Sequence, residues 1–304
     1  MSEPLAWING TLQPFAQTGL PVWDLGVVAG AAVTEMARTY QHRPFRLEQH
    51  IGRLTSSLTA LGFPQRWSTD ELHNAAESIV QNNVQLISAK QDLGIVLFST
   101  AGSNPTYLAG VSDQTTTVIH TFVLPFQLWR SGLQQGVRLR IPEIRQIPDD
   151  CFPVEHKVRN RLHWWLADQQ AAKLEPGCKA LLLDHSGFIT ETSTSCFYLV
   201  RDGRISTPDR GVLRSLSSEI VEELASALKI PFSRRQISVE ELSTADEAFL
   251  SSTPVGLLPV SHIDGRPFQF SQPNSVFMRL MEKWETLTGV NPVRQILDAE
   301  SQVL

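Results

Sequence analysis

The stretch "FPVEHKVRNRLHWWLADQQAAK", residues 152 to 173, sets Lys157 among other basic groups, His156 and Arg161. Apolar positions Val158, Leu162, Trp165, Leu166 and Ala172 recur at helical spacing, so the second half reads as an amphipathic helix that begins at Lys157. Cations are unfavourable at a helix N-terminus, where the dipole is already positive. A lysine placed there is either a solvated side chain on a polar face or an amine wanted unprotonated. In the second case neighbouring cations draw its pKa below the free value of about 10.4 and make a nucleophile. Other polar residues fall where strands end or helices start. Arg53 interrupts an apolar-faced helix, and Glu191 closes "GFITE" before the hydroxyl-rich "TSTS" that holds Thr194 and Ser195. "VLRSLSSEIV" offers free N–H groups at Leu216 and Ser217, with the Ser217 hydroxyl, an arrangement that suits an anion. Thr253 adds a hydroxyl in the turn of "FLSSTPVG". Each of these has an ordinary reading as well: a surface arginine, a polar turn, a helix cap.

The elements that must position these groups can be read from local pattern. Asn9-Gly10 signals a hairpin turn, and "AAVTEMARTY" reads as a strand. "FRLEQHIGRLTSSLTALGFP" carries Ile51, Leu54, Leu58 and Leu61 on one helical face and stops at Gly62 and Pro64. Ser68 and Glu71 form a capping box for a second helix, and strands "LGIVLFST" and "TTVIHTFVLP" follow. Residues 1–123 therefore read as a small α+β domain with a mainly antiparallel sheet, and 124–136 as a linker. The remainder, 137–304, opens on "VRLRIPEI", passes through the Lys157 helix and then makes two hairpins in a row. These turn at Asp184 to Gly187 and at Asp202-Gly203. A helix follows with Ser217 as its N-cap, then further strands, then a helix carrying Val276, Leu280 and Trp284 that ends at Gly289.

Composition narrows the function classes. The chain has 304 residues, 42% hydrophobic and 19% charged, which suits a globular protein of about two domains. A net charge of −5 without a basic stripe argues against nucleic acid. The apolar run "GVVAGAAV" is far short of the roughly 20 residues a membrane helix needs, and the first ten residues lack signal-peptide features. The three cysteines show no CxxC spacing and the eight histidines no paired motif, so neither disulfides nor a metal are expected. A cytoplasmic protein is the expectation.

Taken in order, "WDLGVVAGAAVTEMART", "FRLEQHIGRL", "HKVRNRL", "ALLLDHSGFITETSTSCFYLVRDGRISTP", "VLRSLSSEIVEELA" and "ADEAFLSSTPVGLLPVSHIDGRPF" resemble the class IV aminotransferases. These fold-type IV pyridoxal-phosphate enzymes include branched-chain and D-amino-acid aminotransferases and aminodeoxychorismate lyases. The resemblance runs from about residue 6 to residue 285. It implies a two-domain α/β fold of the α+β kind, with a small α+β domain, a larger domain built on a β-barrel-like sheet, the cofactor pyridoxal 5′-phosphate between them, and a homodimer. It implies that Lys157 forms the Schiff base with the cofactor and moves the proton during transfer. By the same resemblance Arg53 grips the phosphate, aided by Leu216, Ser217 and Thr253, with Thr194 and Ser195 nearby. Glu191 faces the pyridine nitrogen, and Arg161 is available to the phenolic oxygen. The implied partners are an amino donor and a 2-oxo acid.

Departures from the family pattern concentrate on the substrate side. Leu162 stands where branched-chain enzymes usually have tyrosine, and "KVRNRL" looks like the lyases' KxxNRL. Glu35 in "TEMAR" resembles the transaminase pattern instead, with Thr34 replacing the usual aromatic before it. The arginine–histidine carboxylate trap of D-amino-acid enzymes is missing from "TAGSNPTYL", which offers Thr106 and Leu108, and Cys196 replaces a common asparagine. In the turn that meets the carboxylate in branched-chain enzymes, Pro254 beside Val255 has no N–H to give. Arg38 is a candidate substitute grip, and equally a structural arginine at a strand end. An aminotransferase is the leading expectation. A lyase releasing pyruvate and 4-aminobenzoate is the alternative. A non-catalytic binding protein on the same scaffold is a third, against which the joint retention of Lys157, Arg53, Glu191, Ser217 and Thr253 argues.

Overall fold

The computed structural model describes residues 3–107, 115–270 and 272–299. It divides into two units, one of residues 1–124 with 156–160 and one of residues 125–155 with 161–304. The expected larger domain took in Lys157 and its neighbours; by contact, residues 156–160 belong to the first unit instead. Residues expected as a linker hold a 3-10 turn at Phe126–Trp129 and a short helix at Arg130–Gln135, which bury Phe126 and Leu133.

In the first unit the strands are β1 (Leu5–Ile8), β2 (Thr11–Pro14), β3 (Ala32–Tyr40), β4 (Arg43–Phe45), β5 (Leu93–Thr100) and β6 (Thr117–Val123). They form one antiparallel sheet in the order β2-β1-β6-β5-β3-β4. Its helices are the single turn α1 (Leu25–Val28), α2 (Leu47–Ala60) and α3 (Thr69–Asn83). The β1–β2 turn works because Asn9 and Gly10 both take positive φ, and the Ser68–Glu71 capping box opens α3 as expected. Alternation along β3 sends Val33 and Ala37 into a core with Ile51, Leu54 and Leu58 of α2 and Ile79 of α3. Glu35 lies on that same helix-covered side, while Thr34 and Met36 face the other way, level with Phe98 and Val96 of β5.

The second unit holds α4 (Arg130–Gln135), β7 (Val137–Arg140), α5 (Leu162–Leu174), β8 (Lys179–Leu183), β9 (Ile189–Thr192), β10 (Cys196–Arg201) and β11 (Arg204–Thr207). After these come α6 (Leu216–Ala227), β12 (Phe232–Arg234), β13 (Glu247–Ser252), β14 (Gly256–Ile263), β15 (Arg266–Pro267), α7 (Val276–Thr288) and α8 (Pro292–Leu297). The strands join in the order β12-β11-β10-β13-β14-β7-β8-β9, with β15 pairing β14, in a curled, half-barrel sheet. Both expected hairpins are present, and Asp202 and Gly203 take the positive φ that a tight turn needs. Glu247 accepts from the N–H groups of Val276 and Phe277 at 2.9 and 3.0 Å, which fixes the start of α7. The architecture is the two-domain mixed α/β fold the sequence implied.

Candidate active site

In the first unit, Val158 bridges Val33 of β3. The N–H of Thr34 donates to the Lys157 carbonyl at 2.8 Å, and that of Arg159 to the Ala32 carbonyl at 2.8 Å. Lys157 is therefore laddered onto the edge of β3 and does not start a helix; α5 begins at Leu162 with Arg161 at its N-cap. The two ladder bonds satisfy backbone groups that a helical turn would otherwise have used, so the dipole argument does not apply to this lysine. The expected apolar face of α5 is also corrected. Trp164, Ala167 and Ala171 are its buried residues, while Leu162, Trp165 and Leu166 are exposed.

Arg53 of α2 is held by Glu35 through two bonds, Nε to Oε1 at 2.6 Å and a terminal nitrogen to Oε2 at 2.8 Å. His50, one turn earlier, lies with Nδ1 2.9 Å from Glu35 Oε2. Burial would push the Glu35 pKa up, but the Arg53 charge and the bonds from His50 and Arg53 outweigh it and hold it at about 2. Burial lowers the His50 pKa against the pull of Glu35, and the charges of Arg53 and Lys157 lower it further, so His50 is neutral. A neutral histidine and an ionised glutamate thus fix the Arg53 guanidinium, with the Lys157 charge near enough for His50 to feel it. His50 was not singled out in the sequence, although its spacing from Arg53, one turn along the same helix, is the signal that could have found it.

Thr34 is buried, its hydroxyl donating to the Leu97 carbonyl at 3.1 Å. Arg38 is buried as well, 2% exposed. Its Nε donates to the Thr39 carbonyl at 2.9 Å, its guanidinium lies 3.7 Å from Asp92 and its Cζ 3.8 Å from the Tyr40 ring centre. The structure gives Arg38 the interior, strand-end role, so it is withdrawn as a substrate grip. Thr106 sits in a local turn whose N–H donates to Asn104 Oδ1, and Leu108 lies outside the described residues.

In the second unit, Glu191 at the end of β9 is buried and accepts from the Leu213 N–H at 3.1 Å. Arg161 donates to the Ser193 carbonyl. Burial lowers the Arg161 pKa, while the negative charges of Glu191 and Asp168 oppose that. Ser195 closes the loop between β9 and β10 by bonding Thr192 through its own N–H and carbonyl, and Thr194 is exposed at the loop's tip.

At the start of α6 the N-cap is Ser215, not Ser217 as expected, and its side chain makes no capping bond. Ser217 is inside the first turn. The N–H groups of Leu216 and Ser217 have no acceptor among the described residues, and Ser217 is 1% exposed. Its hydroxyl belongs to a buried chain that the sequence did not reveal. Tyr198 and Ser251 hydroxyls are 2.8 Å apart, Ser251 donates to Ser217 at 3.0 Å, and Ser215 lies 2.7 Å from Ser217. Ser251 has one proton and gives it to Ser217, so Tyr198 must be the donor in its bond to Ser251. Burial raises the Tyr198 pKa well above the usual phenol range, so that proton stays in place. Thr253, Pro254 and Val255 form the β13–β14 turn, closed by Gly256 at φ +79°, where a side chain's Cβ would lie 3.4 Å from the Trp284 ring.

These groups fit pyridoxal 5′-phosphate by their chemistry. A fixed guanidinium, open helix-start amides and an oriented hydroxyl suit a phosphate; a buried carboxylate suits a pyridinium nitrogen; a primary amine suits an aldehyde. Comparison with known proteins agrees. The family model for amino-transferase class IV matches residues 32–263. A probable branched-chain-amino-acid aminotransferase of Thermotoga maritima is 30% identical over 84% of this chain and 85% of its own length. A D-alanine aminotransferase of Staphylococcus epidermidis is 26% identical over 92% of this chain and 96% of its own. Among solved structures, a branched-chain amino acid aminotransferase complexed with N-(5′-phosphopyridoxyl)-L-glutamate superposes with a TM-score of 0.82 at 25% identity, covering 95% of each chain. Another, from the thermophilic archaeon Thermoproteus uzoniensis with norvaline, gives a TM-score of 0.82 at 26% identity over 95% of this chain and 96% of its own. With the family model matching residues 32–263 and a 30% identical relative covered over most of its length, the chain belongs to the class IV aminotransferases, enzymes dependent on pyridoxal 5′-phosphate.

Proposed function

We propose that this enzyme moves an amino group between an amino acid or amine and a 2-oxo acid, with Lys157 as the group that bonds the cofactor and carries the proton. The observation that supports this most is the setting of Lys157, whose main chain is laddered to β3 beside Thr34, one residue before the glutamate that clamps Arg53. When bound, the cofactor supplies an electron sink for the carbanion formed at the substrate α-carbon. Lys157 would take the proton from the substrate α-carbon and deliver it to the C4′ carbon of the cofactor. Arg53, with the Leu216 and Ser217 amides and the Ser217 and Thr253 hydroxyls, binds the phosphate. Glu191 keeps the ring nitrogen protonated, and Arg161 faces the phenolic oxygen. The Pro254 turn lacks one donor for a substrate carboxylate, and Thr34 leaves room where relatives carry an aromatic. Ordinary branched-chain amino acids are therefore expected to be weak donors, with bulkier donors better served.

We also infer a homodimer, as the family resemblance implies, and a cytoplasmic setting, which the three free cysteines support. No helix among the described residues is long and apolar enough to cross a membrane. The test is borohydride reduction of the yellow protein followed by peptide mapping, then a screen of leucine, D-alanine, phenylethylamine and aminodeoxychorismate with and without a 2-oxo acid. A cofactor label on Lys157 and acceptor-dependent amino transfer are expected. Label on another lysine, or pyruvate release from aminodeoxychorismate that needs no acceptor, would overturn the reading.

A further inference from the structure

Alternation along residues 156–159 divides their side chains between the two faces of the first unit's sheet. His156 and Val158 point to the helix-covered face, where His156 Nδ1 lies 3.2 Å from Ser57 Oγ of α2 and Val158 sits opposite the core residue Val33. Lys157 and Arg159 belong to the opposite face, the one that carries Thr34 and Phe98. There the Arg159 Cζ lies 4.2 Å from the centre of the Phe98 ring. Thr34 links the two, since its N–H bonds the Lys157 carbonyl and it is the register partner of Phe98.

Arg159 lacks a carboxylate partner among the described residues, and the buried acids of this unit are all committed. Glu35 holds Arg53 and His50. Asp92 accepts from Thr39 and His42 and faces Arg38. Asp24 accepts from Gly26, Thr100 and Thr116. His120, level with Val96 on the same face, has its pKa lowered by burial and then by the Arg159 charge, so it adds no second cation. Its Nδ1 is buried without a hydrogen-bond partner. A guanidinium resting on an aromatic ring still offers in-plane N–H groups in the fork that matches a carboxylate. In the amino-transfer reading the phosphate is assigned to other groups, which leaves substrate as the anion for Arg159 to meet.

We propose that Arg159 is a specificity-determining residue that binds a carboxylate of the amino donor or 2-oxo acid, two positions along the chain from Lys157. This rests on the amino-transfer reading and supplies the grip that the Pro254 turn lacks. It is tested on the holoenzyme by calorimetric titration with three unreactive probes: 4-methylpentanoate, glutarate, and the neutral 4-methylpentanamide. Wild type binds at least one acid more tightly than the amide. Arg159→Ala weakens that acid about 10- to 100-fold and the amide by less than twofold. Arg159→Lys falls in between, because a point charge cannot make the bidentate bond. Loss on glutarate alone assigns the distal carboxylate of a dicarboxylic substrate, and loss on both acids assigns the carboxylate next to the reacting carbon. The proposal is overturned if wild type prefers neither acid to the amide, if Arg159→Ala keeps the acid affinity, or if acid and amide fall together. Failure of the amino-transfer reading would show separately, as borohydride label absent from Lys157.

Discussion

The two units hold their functional groups by different physics. In the first, Lys157 is positioned through its main chain, and Arg53 through an ion pair with Glu35, which is 1% exposed. In the second, Ser217 is positioned by a file of neutral hydroxyls, and the Leu216 and Ser217 amides by the geometry of a helix start. A buried charge pair is costly to break from one side, because the remaining partner keeps its desolvation penalty. A hydroxyl chain loses one modest bond at a time. Substitutions in the Glu35–Arg53–His50 cluster of the first unit should therefore damage stability and function together, while those in the second unit's hydroxyl file should trim affinity and leave the fold intact.

That contrast can be tested from its largest consequence downward. Lys157→Ala should reduce amino transfer on the order of 10³-fold or more while circular dichroism stays unchanged, since only backbone atoms of Lys157 join the ladder. Turnover near the wild-type rate would remove Lys157 from the reaction. Glu35→Gln should lower stability by about 3–5 kcal/mol in denaturant unfolding, because Arg53 and His50 lose the carboxylate that balances them. An unchanged unfolding midpoint would mean that the cluster is solvated and the contrast is wrong. Tyr198→Phe deletes the first donor of the hydroxyl file and should weaken cofactor affinity a few-fold at most, with about 1 kcal/mol of stability. A loss of about 100-fold or more would show that the second unit depends on its relay as heavily as the first on its ion pair.

The last effect is in pH. His163 in the second unit has its pKa lowered to about 4 by burial and then by the Arg161 charge. Below the ordinary value of 6.5 the unfolded chain takes up a proton that the folded one refuses, so stability falls between pH 6.5 and about 4. His50 adds to the upper part of that fall, its pKa being lowered as well. Glu35 acts later. Its contribution is complete above its ordinary value of 4.5 and is lost as pH drops toward 2. His163→Gln should flatten the upper window and leave the lower one, as read from urea midpoints measured across pH.

Much of the frame was legible because it is set locally. Asn9-Gly10, the Ser68–Glu71 box and Asp202-Gly203 each act over three or four residues, and each is found where expected. Lys157 was misplaced for the opposite reason. Its conformation is decided by Ala32 and Thr34, far away in sequence, and local pattern favoured a helix. The buried stripe of α5 was misread because the helix carries large apolar residues on more than one side. The small Ala167 and Ala171 let the helix pack closely, so Leu162, Trp165 and Leu166 stay outside. At α6 two serines lie within reach of the cap, and only the structure separates Ser215 from Ser217. The Glu35–Arg53 clamp and the Tyr198–Ser251–Ser217 file are tertiary pairings with no fixed spacing, and so leave no local trace.

The return of residues 156–160 to the first unit also bears on how the chain is made. Glu155 and Arg161 on either side belong to the second unit, so the first is interrupted in sequence. A nascent chain carrying everything up to Leu124 would present β3 with its Ala32 carbonyl and Thr34 amide still waiting. At roughly 5–20 residues per second, residues 125 to 160 take about 2–7 s to synthesise. During that interval the ribosome-bound protein exposes a strand edge that only its own later sequence can cover. The segment that covers it is the one carrying Lys157.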